Sequence, residues 1–180
     1  MQTNNASEQS ELGLKMSLRG MPTKNYRAPV YRVALVRDGS VSAAAAQETA
    51  DSPSVVARLV RKLIGDSPQE HFVAVCVDTR SRVIGICEVS RGTLSASLVH
   101  CRETFRTAIL LNAAGLIVCH NHPSGDCTPS PEDRETTRRL SRAGELIGIG
   151  LVDHIVVATG PQPDGTGKSF FSFREHGLMG

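Results

Sequence analysis

Apolar positions along this chain recur with two different periods, and the switches between them outline its elements. In "DSPSVVARLVRKLIG", Val55, Val56, Leu59, Val60 and Leu63 fall at helical spacing. Ser52 suits the cap of that helix, Pro53 its first position and Gly65 its stop. Two strands follow, "HFVAVCVD" and "RVIGICEVS", joined by "TRS" as a hairpin. The first is apolar on both faces, the pattern of an interior strand. "HCRETFRTAILLNAAG" predicts a helix ending at Gly115, and "LIVCH" a buried strand. "SPEDRETTRRLSRAGELIG" predicts a helix with Ser130 as cap and Pro131 in its first turn. "LVDHIVVA" is a further strand and "SFFSF" a last one. Upstream, "VYRVALVRDG" reads as a first strand closed by a D-G turn, while "VSAAAAQETA" fits a short helix or a loop. Residues 1–25 are polar and weakly patterned, which predicts a flexible tail ahead of one domain over 26–180. Strands alternating with helices imply a layered α/β domain, with helices packed on a central mixed sheet.

Composition narrows the class. A chain of 180 residues with 40% apolar and 21% charged positions is ordinary for one globular domain. No stretch approaches the roughly 18 uninterrupted apolar residues of a membrane helix, and the N-terminus lacks the apolar centre of a secretion signal. A cytoplasmic protein with no membrane partner is the expectation. Cys76, Cys87, Cys101, Cys119 and Cys127 are odd in number and show no C-x-x-C spacing, so buried, reduced thiols are expected. A net charge of +2 is too small to imply a nucleic-acid partner by itself. Arg134, Arg138 and Arg142 do recur every four residues beside Arg139. Glu132, Glu135 and Glu145 interleave with them, and Glu135 is spaced to pair with Arg139. A salt-bridged, solvated face is therefore expected rather than a phosphate-binding stripe.

One stretch carries chemistry. In "HNHPSGDCTPSPED", two histidines stand two apart and Asp133 follows eleven residues after the second. Side chains alternate along a strand, so Leu116, Val118, His120 and His122 share one face. The two histidines then sit at the carboxyl end of a strand, where open α/β sheets place their ligands. Pro123 ends the strand, and the loop is long enough to bring Asp133 back over it. Two imidazoles and a carboxylate form a three-ligand zinc set that leaves a fourth position for water, the arrangement of catalytic zinc. Asp133 is also three residues after Ser130, so "SPED" reads equally as a capping box. The two roles need not compete, because a carboxylate has two oxygens.

H-x-H-P, a turn and then S-x-x-D resembles the JAMM metalloprotease motif. The longer string, with "DHIVV" and "FSFREHG" downstream, resembles the RadC family of bacterial JAMM-domain proteins from about Tyr26 to the C-terminus. The resemblance implies the JAMM fold, a mixed sheet flanked by helices and similar in outline to cytidine deaminases. It implies Zn2+ held by His120, His122 and Asp133, and a Ser130 that helps to hold the oxyanion of the tetrahedral intermediate. It implies a peptidase or isopeptidase whose general acid/base is a glutamate well upstream of the histidine pair. Glu70, just before "HFVAVCVD", fits that place, and Glu88 is the rival. Asp153 and His154 are candidates to support the site, although His154 reads more readily as a partly buried strand residue with a satisfied hydrogen bond. Members of the family usually carry a helix-hairpin-helix module that binds DNA backbone. No such hairpin is legible in the residues ahead of the domain here, so weak DNA binding at most is expected.

Two other classes stay in view. One is a DNA-repair-associated accessory protein that keeps the fold without hydrolysing amides. The other is a zinc deaminase, which needs H-x-E with P-C-x-x-C; this chain has neither. H-E-x-x-H is absent as well, which excludes a helix-borne zincin site.

Overall fold

The computed structural model describes residues 35–39, 49–64, 67–92, 99–158 and 169–180. The chain divides into two units, Met1–Val36 and Arg37–Gly180, and every described helix and strand belongs to the second. These elements are α1 (Pro53–Ile64), β1 (His71–Val77), β2 (Val83–Arg91), α2 (Cys101–Leu110), β3 (Gly115–His122), α3 (Pro131–Ile147), β4 (Gly150–Ala158) and β5 (Phe170–Ser172). The predicted tail, most of the predicted first strand and nearly all of "VSAAAAQETA" lie outside the described residues, as does Gly65. Residues 35–39, the described part of that first strand, are not in a strand.

The sheet is mixed and five-stranded, in the order β2-β1-β3-β4-β5. Only β3 and β4 run parallel, joined by α3 as crossover. β1 is buried at every position, as its two-faced apolar pattern predicts. One sheet face, with Val73, Val75, Val77, Ile117, Cys119, Ile155 and Val157, packs against Val56, Ala57 and Val60 of α1. The other, with Phe72, Ala74, Cys76, Leu116 and Val118, packs against Phe105 and Ala108 of α2 and Leu140 of α3. The architecture is thus the expected α/β layering.

Two local readings need correction. The helix expected to run to Gly115 ends at Leu110, because Asn112 adopts φ 52° and turns the chain there. Gly115 instead opens β3. Glu135 pairs with Arg138, not Arg139, whose guanidinium donates to the Val99 carbonyl. The five cysteines are free thiols, and Cys76, Cys119 and Cys127 are buried as expected, whereas Cys87 and Cys101 are only partly buried because they lie on an outer strand and at a helix start. Burial, and then neighbouring Cys87, pushes the Cys76 thiol up to about 11.

The end of α3 shows why glycine is needed close to the sheet. A Cβ on Gly144 would come within 2.6 Å of the Ile149 carbonyl oxygen, a backbone atom that cannot swing aside. The close approach lets α3 turn through left-handed Gly148 directly into β4.

Candidate metal centre

Strand alternation builds the first half of the site. Leu116 and Val118 face α2 and α3, and His120 continues that row. Its ring stacks on Phe72 of β1 at 6.0 Å between centroids. After His122 the chain turns, with the Gly125 amide donating to the His122 carbonyl. The loop returns over the sheet anchored by buried Cys127, which packs with Val156, Ala158 and Phe173.

The capping box of α3 delivers the second half. The Asp133 amide donates to Ser130 Oγ at 3.1 Å, and the Ser130 amide donates to Asp133 Oδ2 at 2.8 Å. The Ser130 hydroxyl also donates to Oδ2, at 2.7 Å. These bonds hold the carboxylate at the helix terminus and turn it toward the histidines. The capping-box reading of Asp133 is therefore realised, and the same carboxylate faces the two histidines.

The three donors converge. His120 Nε2 lies 3.0 Å from His122 Nε2 and 3.2 Å from Asp133 Oδ1, and His122 Nε2 lies 3.6 Å from Asp133 Oδ2. A tetrahedral ion with bonds of about 2.0–2.1 Å sets its ligand atoms about 3.3 Å apart. The donor set therefore fits a four-coordinate metal ion, and this is the His/Asp group of the described residues able to hold one. His120 is fully buried, whereas the side chains of His122 and Asp133 keep 16% and 11% exposure, so the site opens on the His122 side. His122 Nδ1 donates to the Asp126 carbonyl at 2.7 Å, which leaves Nε2 as the ring's electron-pair donor.

The charges of the three side chains act on one another. Burial by itself would raise the Asp133 carboxyl, but the adjoining His120 and His122 rings prevail and hold it well below the usual carboxylate range. Burial would lower the His122 imidazole. The Asp133 carboxylate, the Asp126 carbonyl and the charge of Glu70 outweigh burial and raise it.

The two candidate glutamates sit in different surroundings. Phe72 pairs with His120 across β1 and β3, and Glu70, two residues earlier and just ahead of the strand, lies near enough for its charge to raise His122. Glu88 pairs with Val73, whose side chain belongs to the α1 face. It is held there by His71 Nδ1 at 2.7 Å and by the Arg91 guanidinium.

His154 is fully buried and better connected than a strand histidine with one satisfied bond. Its Nε2 meets His120 Nδ1 at 2.9 Å and its Nδ1 meets Thr137 Oγ1 at 2.7 Å. Phe173 stacks on its ring at 4.7 Å. Asp153 is not at the metal site. It accepts from the Ser172 hydroxyl and the Arg174 amide, and so braces β5 and the C-terminal turn against β4.

Sequence reasoning missed two residues. Thr137, four positions after Asp133, shares its helix face, which is the signal that could have found it. Asn121, between His120 and His122, points to the other side of the sheet and is fully buried. Its Oδ1 accepts from the His71 amide at 2.7 Å and its Nδ2 donates to the Gln69 carbonyl at 2.9 Å. It thus clamps the backbone on both sides of Glu70.

Residues 50–178 match the sequence model of the RadC-like JAB domain. The chain is 43% identical over 145 residues to a UPF0758 protein of Rubrobacter xylanophilus, covering 81% of this chain and 60% of that one. It is 52% identical over 111 residues to a UPF0758 protein of Thermotoga maritima, covering 62% of this chain and 46% of that one. It therefore spans about half of the length of the curated relatives it matches. With the family match covering most of the chain and the His/His/Asp centre lying inside it, this protein belongs to the RadC family of JAB-domain proteins.

Proposed function

We propose that the protein is a zinc-dependent amide hydrolase, a peptidase or isopeptidase. The observation that carries this reading is the spacing of His120 Nε2, His122 Nε2 and Asp133 Oδ1/Oδ2, which suits one tetrahedral ion. When bound there, zinc supplies Lewis acidity that polarises a carbonyl and lowers the pKa of water to about 7.

The chain's own residues supply the rest. Glu70, close enough for its charge to act on His122, takes the proton of the attacking water and passes it to the leaving amine. Asn121 keeps Glu70 in place through the flanking backbone. The Ser130 hydroxyl orients Asp133 and, by rotating about its Cβ–Oγ bond, turns its proton to the oxyanion. Duplex DNA is expected to bind weakly, a reading supported by the Glu135–Arg138 pair on the α3 surface and by the small net charge.

The test joins metal content to cleavage. Purified protein should hold about one zinc per chain, lost in His120→Ala, His122→Ala and Asp133→Ala. Zinc-loaded protein should cleave members of a peptide and isopeptide library, and metal-stripped protein should not. Glu70→Gln should keep its zinc and lose about 10²–10⁴-fold in turnover. Undiminished zinc in the triple-ligand variant refutes the site. A zinc-loaded wild type that cleaves nothing in the library, yet binds duplex at submicromolar concentration, refutes the hydrolase reading.

A further inference from the structure

We infer that Thr137 and His154 form a hydrogen-bond relay that holds His120 in its metal-binding tautomer. The inference rests on the metal-site reading and concerns residues that touch no metal. The ring nitrogens leave little choice. His120 can ligate through Nε2 only if its hydrogen sits on Nδ1. His120 Nδ1 faces His154 Nε2 at 2.9 Å, so His154 must accept there and carry its own hydrogen on Nδ1. His154 Nδ1 faces Thr137 Oγ1 at 2.7 Å, so the hydroxyl oxygen must accept. The hydroxyl's single proton is then directed elsewhere, and it has a place to go. Thr137 Oγ1 donates to the Asp133 carbonyl at 2.7 Å. Every donor in the chain thus meets an acceptor in this order.

The opposite order fails at the metal. A hydrogen on His154 Nε2 would point at His120 Nδ1 and move the His120 hydrogen to Nε2, where it blocks ligation. The relay also ties two ligands together. It begins on the His120 ring and ends on the backbone carbonyl of Asp133, one full helical turn from Thr137. Its surroundings fix the rings as well as the hydrogens. Phe173 stacks on His154 within 12° of parallel, and Phe72 meets its edge at 5.7 Å between centroids. Thr137 and His154 are both fully buried, so no solvent stands in for a lost partner. The two are positioning residues for the metal, on two elements that meet only in the folded chain.

The test needs no substrate. Zinc affinity is measured by competition with a chromophoric chelator for wild type, Thr137→Val, Thr137→Ser and His154→Phe. Valine keeps the shape of threonine and deletes the hydroxyl; serine keeps the hydroxyl. Thr137→Val and His154→Phe should lose about 10–100-fold in zinc affinity, while Thr137→Ser keeps the wild-type value. In 15N spectra of the zinc-loaded wild type, His154 should carry its hydrogen on Nδ1. Wild-type affinity in Thr137→Val overturns the relay and leaves the metal site standing. So does an equal loss in Thr137→Ser and Thr137→Val, or a hydrogen found on His154 Nε2. Loss of zinc binding from the wild type itself would overturn the site and the relay together.

Discussion

Replacing Asn121 by leucine would remove a clamp while leaving the side chain's volume nearly unchanged. Asn121 is fully buried on the face of β3 away from the candidate metal centre, with Oδ1 on the His71 amide and Nδ2 on the Gln69 carbonyl. Leucine strands the His71 amide, which is buried, whereas the Gln69 carbonyl sits in an exposed residue and can turn to water. The main cost is therefore one buried donor left unpaired, about 1–3 kcal/mol. At about 2–4 °C per kcal/mol for a chain of this size, the midpoint should fall by about 2–12 °C. Thermal unfolding of metal-stripped protein measures that fall, and hydrogen exchange should show the His71 amide losing protection. Zinc content should stay at the wild-type level, because the ligand donors lie on the opposite face. Turnover should drop with the loosened Glu70. An unshifted midpoint with full His71 protection would refute the clamp. Loss of zinc would refute the separation of the two faces of β3.

Three further outcomes follow from the geometry. Burial would raise the Glu88 carboxyl, but His71 and Arg91 prevail and lower it from 4.5. A depressed folded pKa contributes stability that is present above the unfolded value and lost as pH falls through the folded one. The stability gap between wild type and Glu88→Gln, read by urea unfolding, should close as pH falls through the folded value of Glu88; a gap that persists below it contradicts the pairing. Gly144→Ala should cost about 1–3 kcal/mol, since its Cβ would lie 2.6 Å from the Ile149 carbonyl oxygen. Greater stability in urea, as helix propensity alone would give, would show that the α3–β4 junction yields. Chelation should lower the midpoint of protein held at 100 times the zinc dissociation constant by the equivalent of about 2.7 kcal/mol. His120→Ala should show no response to the chelator.

Much of the site was legible because its signals are local. His120 and His122 announce themselves by strand alternation, and Ser130 and Asp133 by a four-residue helix start. What stayed hidden depends on which strands become neighbours. The two-faced apolar pattern of β1 marks it as interior but does not name its partners. Only the antiparallel pairing of β1 with β3 brings Glu70, just ahead of β1, within electrostatic reach of His122, and a register slip between Phe72 and Val73 fixes where Glu88 points. His154 and Thr137 meet through the parallel β3–β4 pair and the α3 crossover, contacts that no window of sequence contains. The misplaced end of α2 has a simpler cause. Asparagine also adopts the left-handed turn, and here Asn112 does so before Gly115 is reached.

The reciprocal capping bonds between Ser130 and Asp133 bear on how the protein would exchange its ion. The carboxylate is oriented by the chain's own amide and hydroxyl groups, so an arriving ion finds that ligand already set and pays little ordering entropy for it. A departing ion leaves α3 with its terminus satisfied. Far-ultraviolet circular dichroism should therefore be nearly the same with and without metal. Loading and stripping would be reversible steps on a folded scaffold, unlike a zinc finger, whose chain unravels when the ion is withdrawn.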